Sequence, residues 1–146
     1  MRTIDASATS SAPPAVVWGL LSDVSSWSIW GSWSRVEMED GAAHGPGAVR
    51  VVVKAPLRLR ERVTEWVPEE RMAYELLEGM RVRGYRAVVT LEPTADDGTL
   101  IRWQATYEHA GPLSALILRF AIPDACRRLA RAASAAVPPA PEPALA

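Results

Sequence analysis

The run of residues 111–134, GPLSALILRFAIPDACRRLARAAS, constrains this chain most, because it alone is long enough to make a substantial helix. Leu113, Leu116, Ile117, Phe120, Leu129 and Ala133 recur at roughly helical spacing, with Arg119, Arg127, Arg128 and Arg131 mostly off that stripe. That is the pattern of a helix with one apolar face, which needs an apolar surface to lie on. Pro112 suits a first helical turn, whereas Pro123 is expected to kink the helix or divide it, with Asp124 able to cap a second piece.

Almost everything before this run is strand-like. Residues 2–9 alternate, with Ile4, Ala6 and Ala8 on one side and Thr3, Asp5, Ser7 and Thr9 on the other. Pro13-Pro14 then opens a helix through about Leu21, and Ser22 and Asp23 cap a second short helix over about residues 24–29, the two forming a V. Further strands are expected over residues 36–40, 49–54, 57–67, 71–78, 81–92 and 99–109, separated by turn clusters such as Ala55-Pro56, Pro68-Glu69-Glu70 and Asp97-Gly98. In residues 49–54 the expected inner face is Val49, Val51 and Val53, with Arg50, Val52 and Lys54 outside. The expected fold is therefore α+β, a curved seven-stranded antiparallel sheet around one long C-terminal helix, because the sheet cannot cover its own concave face. The space between sheet and helix is where function is expected.

A chain of 146 residues suffices for one domain, expected over residues 1–136, with a disordered Pro/Ala-rich tail over 137–146. Sixteen basic against seventeen acidic residues leave a formal charge of −1, which argues against a nucleic-acid partner. Cys126 is the only cysteine, so no internal disulfide forms, and its expected role is a small buried side chain. Residues 1–14 lack the apolar core of a secretory signal and no window approaches a membrane span, so a cytoplasmic protein without stable membrane insertion is expected, as monomer or homodimer. With two histidines and one cysteine, and no phosphate loop, nucleophile elbow or zinc motif, neither a metal nor another cofactor is expected.

The candidate chemistry lies in the strands. Strict alternation in residues 57–67 puts Glu61 and Glu65 on the apolar side with Leu57, Leu59, Val63 and Val67, unless a β-bulge moves either to solvent. An inward carboxylate is either an acid-base group or half of a structural ion pair. Extrapolating the face of Tyr85, Ala87, Val89 and Leu91 backwards makes Arg83 a candidate partner for an enolate or carboxylate, or else a surface charge near a hairpin. His109 ends the apolar face of Ile101, Trp103, Ala105 and Tyr107, and either transfers protons or is simply exposed. His44, in the turn AAHGPG, is expected to face solvent. Six tryptophans against one phenylalanine supply large flat surfaces, four of them at Trp18, Trp27, Trp30 and Trp33.

Ile4-Asp5-Ala6-Ser7-Ala8 followed by Pro14-Ala15-Val16-Val17-Trp18, then Asp23-Val24-Ser25-Ser26-Trp27 with Trp30, resembles the opening of the polyketide cyclase/dehydrase and lipid-transport proteins of the START-like (SRPBCC, Bet v 1-like) superfamily. Arg62-Val63-Thr64-Glu65-Trp66-Val67-Pro68 leading to Ala73-Tyr74-Glu75, and Leu91-Glu92-Pro93 leading to Gly98-Thr99 and Arg102-Trp103, are similar to its central and late strands. The resemblance implies a helix-grip fold enclosing a cavity. It also implies either a cofactor-independent cyclase or dehydratase acting on a polyketide-like substrate, or a carrier or receptor for a hydrophobic ligand. Under the first reading Trp30, Trp33, Tyr74, Tyr85, Trp103, Tyr107 and Phe120 would wall the cavity, and Glu61, Glu65, Arg83 and His109 would be its catalytic groups.

Overall fold

The computed structural model describes residues 1–39 and 45–137. His44 and the start of its turn, the expected strand end at Asp40, and the tail beyond Val137 lie outside the described residues. The elements follow the expected order: β1 (Arg2–Ser10), α1 (Pro14–Ser22), a single 3-10 turn over Val24–Ser26, α2 (Trp27–Trp30), β2 (Arg35–Met38), β3 (Val49–Lys54), β4 (Leu57–Val67) and β5 (Arg71–Glu78). They continue through β6 (Val82–Arg83), β7 (Arg86–Pro93), β8 (Thr99–Tyr107), β9 (His109–Ala110) and α3 (Pro112–Ala136). Seven strands form one antiparallel sheet in the order β1-β8-β7-β5-β4-β3-β2, while β6 and β9 pair separately. This is the helix-grip arrangement, with α3 packed across β1 and β8 and the short helices joining β1 to β2.

α3 differs from its expected form in two ways. Pro123 lies inside one continuous helix, so it removes a backbone donor without dividing the rod. The apolar residues also split between opposite sides: at about 100° per residue, Phe120 and Leu129 point half a circle apart. Leu118, Ile122, Ala125, Cys126, Leu129 and Ala133 are buried, whereas Leu113, Leu116 and Phe120 are exposed. Small side chains on the buried side let the helix approach Ile101 closely enough for the Cys126 thiol to donate to its carbonyl at 3.7 Å. Burial pushes that thiol up to about 11, so it stays protonated and packs as a small apolar group.

β3 faces the other way from expectation. Arg50 and Val52 point to the concave side, opposite Glu61 and Leu59 of β4. Val51 and Val52 are both buried, so both faces of β3 are covered at mid-strand and apolar alternation could not mark the inner one. Two irregularities shape β4 and β5, a shift between Arg60 and Glu61 and another between Val63 and Glu65. The second leaves Thr64 without an opposite residue, so Val63 pairs with Tyr74 and Glu65 with Ala73.

The strand expected over residues 81–92 breaks at Gly84, whose φ of +69° is left-handed. Gly79 is still more constrained, with φ of +119° and the Arg58 carbonyl oxygen standing closer than van der Waals contact to where a Cβ would be. Gly79→Ala should therefore cost about 1–3 kcal/mol of unfolding free energy in urea titration. Gly19→Ala, on the exposed side of α1 with nothing near a new Cβ, should instead stabilise by about 0.5–1 kcal/mol.

Candidate functional site

The concave side of the sheet and the N-terminal half of α3 leave a cavity of about 640 Å³. Val52, Glu61, Tyr74 and Trp103 supply buried lining from the sheet, Tyr85 adds to it from the link between β6 and β7, and Leu118, Ile122 and Ala125 close it from α3. Exposed lining residues, Lys54, Ala55 and Pro56 of the β3–β4 hairpin with Leu113, Phe120 and Arg127 of α3, mark its mouth.

At the buried end sits an ion pair. Arg50 is 1% exposed and Glu61 7%, and the Arg50 Nε donates to Glu61 Oε1 at 3.0 Å. The guanidinium lies between two rings, 4.3 Å from the Trp27 centroid and 4.6 Å from that of Tyr74, so aromatic faces replace part of its lost hydration. Its Nη1 approaches the Met72 sulfur at 3.6 Å, and its Nη2 is buried with no hydrogen-bond partner among the described residues. Glu61 Oε2 has no hydrogen-bond donor among the described residues, and the side chain lines the cavity. Burial pushes the Glu61 carboxyl above its ordinary value, with the Arg50 charge and hydrogen bond acting against that rise.

Two phenols stand beside the carboxylate. Trp103 Nε1 donates to the Tyr74 hydroxyl at 3.2 Å, and the Tyr74 and Tyr85 rings lie side by side with centroids 6.2 Å apart. Burial is the main cause raising both phenols, so they remain neutral donors across the ordinary pH range.

Of the residues expected from sequence, the cavity gathers Glu61, Trp33, Tyr74, Tyr85, Trp103 and Phe120, the last at its mouth. Trp30 and Tyr107 are buried but do not line it. Trp30 stands behind Trp33, ring centroids 5.5 Å apart, with its indole N–H donated to Ser26 Oγ.

Glu65 points to the other face of β4, because the extra residue at Thr64 reverses the alternation after Val63; there it pairs with Arg71 at 2.6 Å. The same reversal turns Trp66 toward α1, where its ring meets Trp18 edge-on at 5.1 Å. Arg83 and His109 lie opposite one another in the β6–β9 ribbon, both exposed, and Arg83 is engaged by Glu108 at 3.1 Å. The left-handed turn at Gly84 stops the face of β7 from extending back to Arg83.

Sequence reading missed Arg50 and Trp27. For Arg50 a signal existed: a tight turn at Ala55-Pro56 sets Lys54 opposite Leu57, and counting outward sets Arg50 opposite Glu61. Among the described residues no group of three His, Cys, Asp or Glu side chains could hold a metal ion, and no helix is long and apolar enough to cross a membrane.

A family model described as polyketide cyclase/dehydrase and lipid transport matches residues 1–137. The chain belongs to this family. No curated protein is similar enough to match the chain. Among solved structures, the protein XoxI of Bacillus cereus shares the fold with a TM-score of 0.76 at 18% identity, over 90% of this chain and 95% of that one. A Thermobifida fusca protein superposes with a TM-score of 0.72 at 28% identity, over 92% and 91% of the two chains. A Thermus thermophilus protein, TTHA0849, does so with 0.70 at 21% identity, over 92% and 99%. The polyketide cyclase/dehydrase and lipid-transport family thus accounts for the fold, while its two activities need different things of a cavity: a placed acid-base group for the first, apolar volume for the second.

Proposed function

We propose that the protein binds a hydrophobic small molecule in this cavity and promotes its cyclisation or dehydration without a cofactor, with Glu61 as acid-base group. The observation that carries this reading is a carboxylate at the buried end of an apolar cavity, held through one oxygen by Arg50 and open at the other. The aromatic wall of Trp33, Tyr74, Tyr85 and Trp103 folds a flexible chain so that its reacting carbons meet. Ionised Glu61 then takes a proton from the carbon beside a carbonyl, and a phenol of the Tyr74–Tyr85 pair donates to the enolate oxygen. The enolate carbon closes on a second carbonyl, and Glu61 returns its proton to the new alkoxide; loss of water completes the dehydration.

Carriage of an unreacting apolar ligand is the second reading, favoured by how few polar groups interrupt the lining. Mass spectrometry of material released by denaturing the purified protein separates them. A ligand recovered unchanged after long incubation supports carriage, and one recovered as a ring-closed or dehydrated product supports catalysis. Both readings need the cavity open. Leu59→Trp, which places an indole in it, should lower affinity for an apolar fluorescent probe by about tenfold or more, the loss that each 1.4 kcal/mol of forfeited contact produces. Unchanged probe affinity in a folded L59W protein would rule the cavity out for both.

A further inference from the structure

The outward side of α3 changes character along its length. Its first turns carry Leu113, Leu116 and Phe120, which are 69%, 50% and 63% exposed. Farther along, at spacings near whole turns from Phe120, the same side carries the exposed Arg127 and Arg131. A lone exposed leucine needs no explanation, but three large apolar side chains on one ridge of one helix do. Leu113 and Phe120 also line the cavity, with Ile117 between them, so the ridge and the ligand space form one continuous apolar surface.

The charges around this ridge are mainly cationic. The Arg119 guanidinium lies 5.7 Å from the Phe120 ring centroid, and Lys54 and Arg127 line the mouth. The exposed Arg81 is held beside the start of α3, its carbonyl accepting from the Gly111 N–H at 2.8 Å. Among the described residues two carboxylates line the cavity: Glu61 is at the buried end and Asp124 is engaged by Arg128 at 2.8 Å. The whole chain carries a formal charge of −1, so this excess of cations is local.

We infer that this end of α3 docks on an anionic lipid bilayer. Leu113, Leu116 and Phe120 enter the boundary between headgroups and acyl chains, while Lys54, Arg81, Arg119 and Arg127 meet the anionic headgroups. The docking is peripheral, since α3 remains packed on the sheet through its other side. A second copy of the chain or an acidic protein could also cover apolar side chains, but either needs a groove matching a convex ridge, and a bilayer needs none. A bilayer also meets the ridge where it runs into the cavity, giving an apolar molecule a path that avoids water. That purpose rests on the cavity reading above; the docking itself does not.

The test is co-sedimentation of the full-length protein with vesicles of phosphatidylcholine alone and of phosphatidylcholine with phosphatidylserine. Binding is expected to the second kind, weakening as salt is added. Leu113→Gln combined with Phe120→Gln should lower it about tenfold or more, and Arg119→Gln about fivefold, the factor equivalent to one cation near an anionic surface. Leu116 does not line the cavity, so L116Q should weaken vesicle binding about fivefold while leaving probe affinity in the cavity unchanged. Failure to bind either vesicle, or binding that L113Q/F120Q leaves intact, overturns the inference. So does a concentration-dependent dimer that vesicles do not dissociate and L113Q/F120Q makes monomeric, which would assign the ridge to a second copy. None of these results bears on the cavity, whose own failure is read from L59W.

Discussion

Glu61→Gln should lower turnover of a cyclising substrate by a factor of about 10²–10⁴, the range for loss of one positioned general acid-base group, while ligand affinity changes little. Gln keeps the shape and can still contact Arg50, but it cannot carry the substrate's proton. In the unaltered protein, activity should rise with pH as Glu61 ionises, through a limb centred above the ordinary carboxylate value of 4.5, because burial holds the proton on more tightly than water does. That limb should disappear from the residual rate of E61Q. A protein that only carries its ligand would show no turnover to lose, and its ligand affinity would survive the substitution.

Arg50→Met should cost about 3–5 kcal/mol at neutral pH, the size expected when one partner of a buried ion pair is removed and the other charge is left uncompensated. The sign of its pH dependence follows from linkage. Folded Glu61 titrates above its unfolded value, so its contribution to stability is complete below that unfolded value and is lost as pH rises through the folded one. Removing the guanidinium raises the folded value further, so the penalty of R50M should grow with pH and shrink in acid. The double variant R50M/E61Q should recover much of the loss, since it leaves no charge buried. Urea titrations of the four proteins at two pH values measure all of this; a penalty independent of pH would mean that packing against Trp27 and Tyr74, rather than charge, dominates.

Much of the architecture was legible because it is written in local signals. Pro13-Pro14, Ala55-Pro56, Asp97-Gly98 and Gly111-Pro112 punctuate the chain, and among the described residues most of the expected strands and helices fall between such marks close to where the structure has them. The buried face of β8, with Ile101, Trp103, Ala105 and Tyr107, follows from simple alternation. Tyr74 and Trp103 were legible as cavity residues for the same reason, large rings at inward positions on strands, and Tyr85, in the link just before β7, lines the cavity with them.

The site's charged residues were less legible. Glu61 and Glu65 are four residues apart and look equivalent, yet one unpaired residue at Thr64 sends them to opposite faces, and threonine at that position announces no bulge. Arg50 looked outward because valines surround it. Only pairing across the hairpin turn puts it on the same face as Glu61, where an opposite charge makes its burial tolerable. Arg83 was tied to the inward face of β7 by extrapolation, and a left-handed glycine ended that continuity; His109 lies past the end of β8 at Tyr107, in the separate ribbon with Arg83.

By itself, then, the sequence determined the order of elements, the antiparallel sheet with its covering helix and the aromatic walls, all of which depend on residues near one another in the chain. Tertiary structure decided which carboxylate meets the cavity, which arginine holds it, and which half of the helix's apolar residues stays in water. The reason is that a strand's inward face is set by registry with its neighbours, and a helix's by which surface is left to pack against. A shift of one residue or half a turn changes those assignments while leaving composition and periodicity as they were.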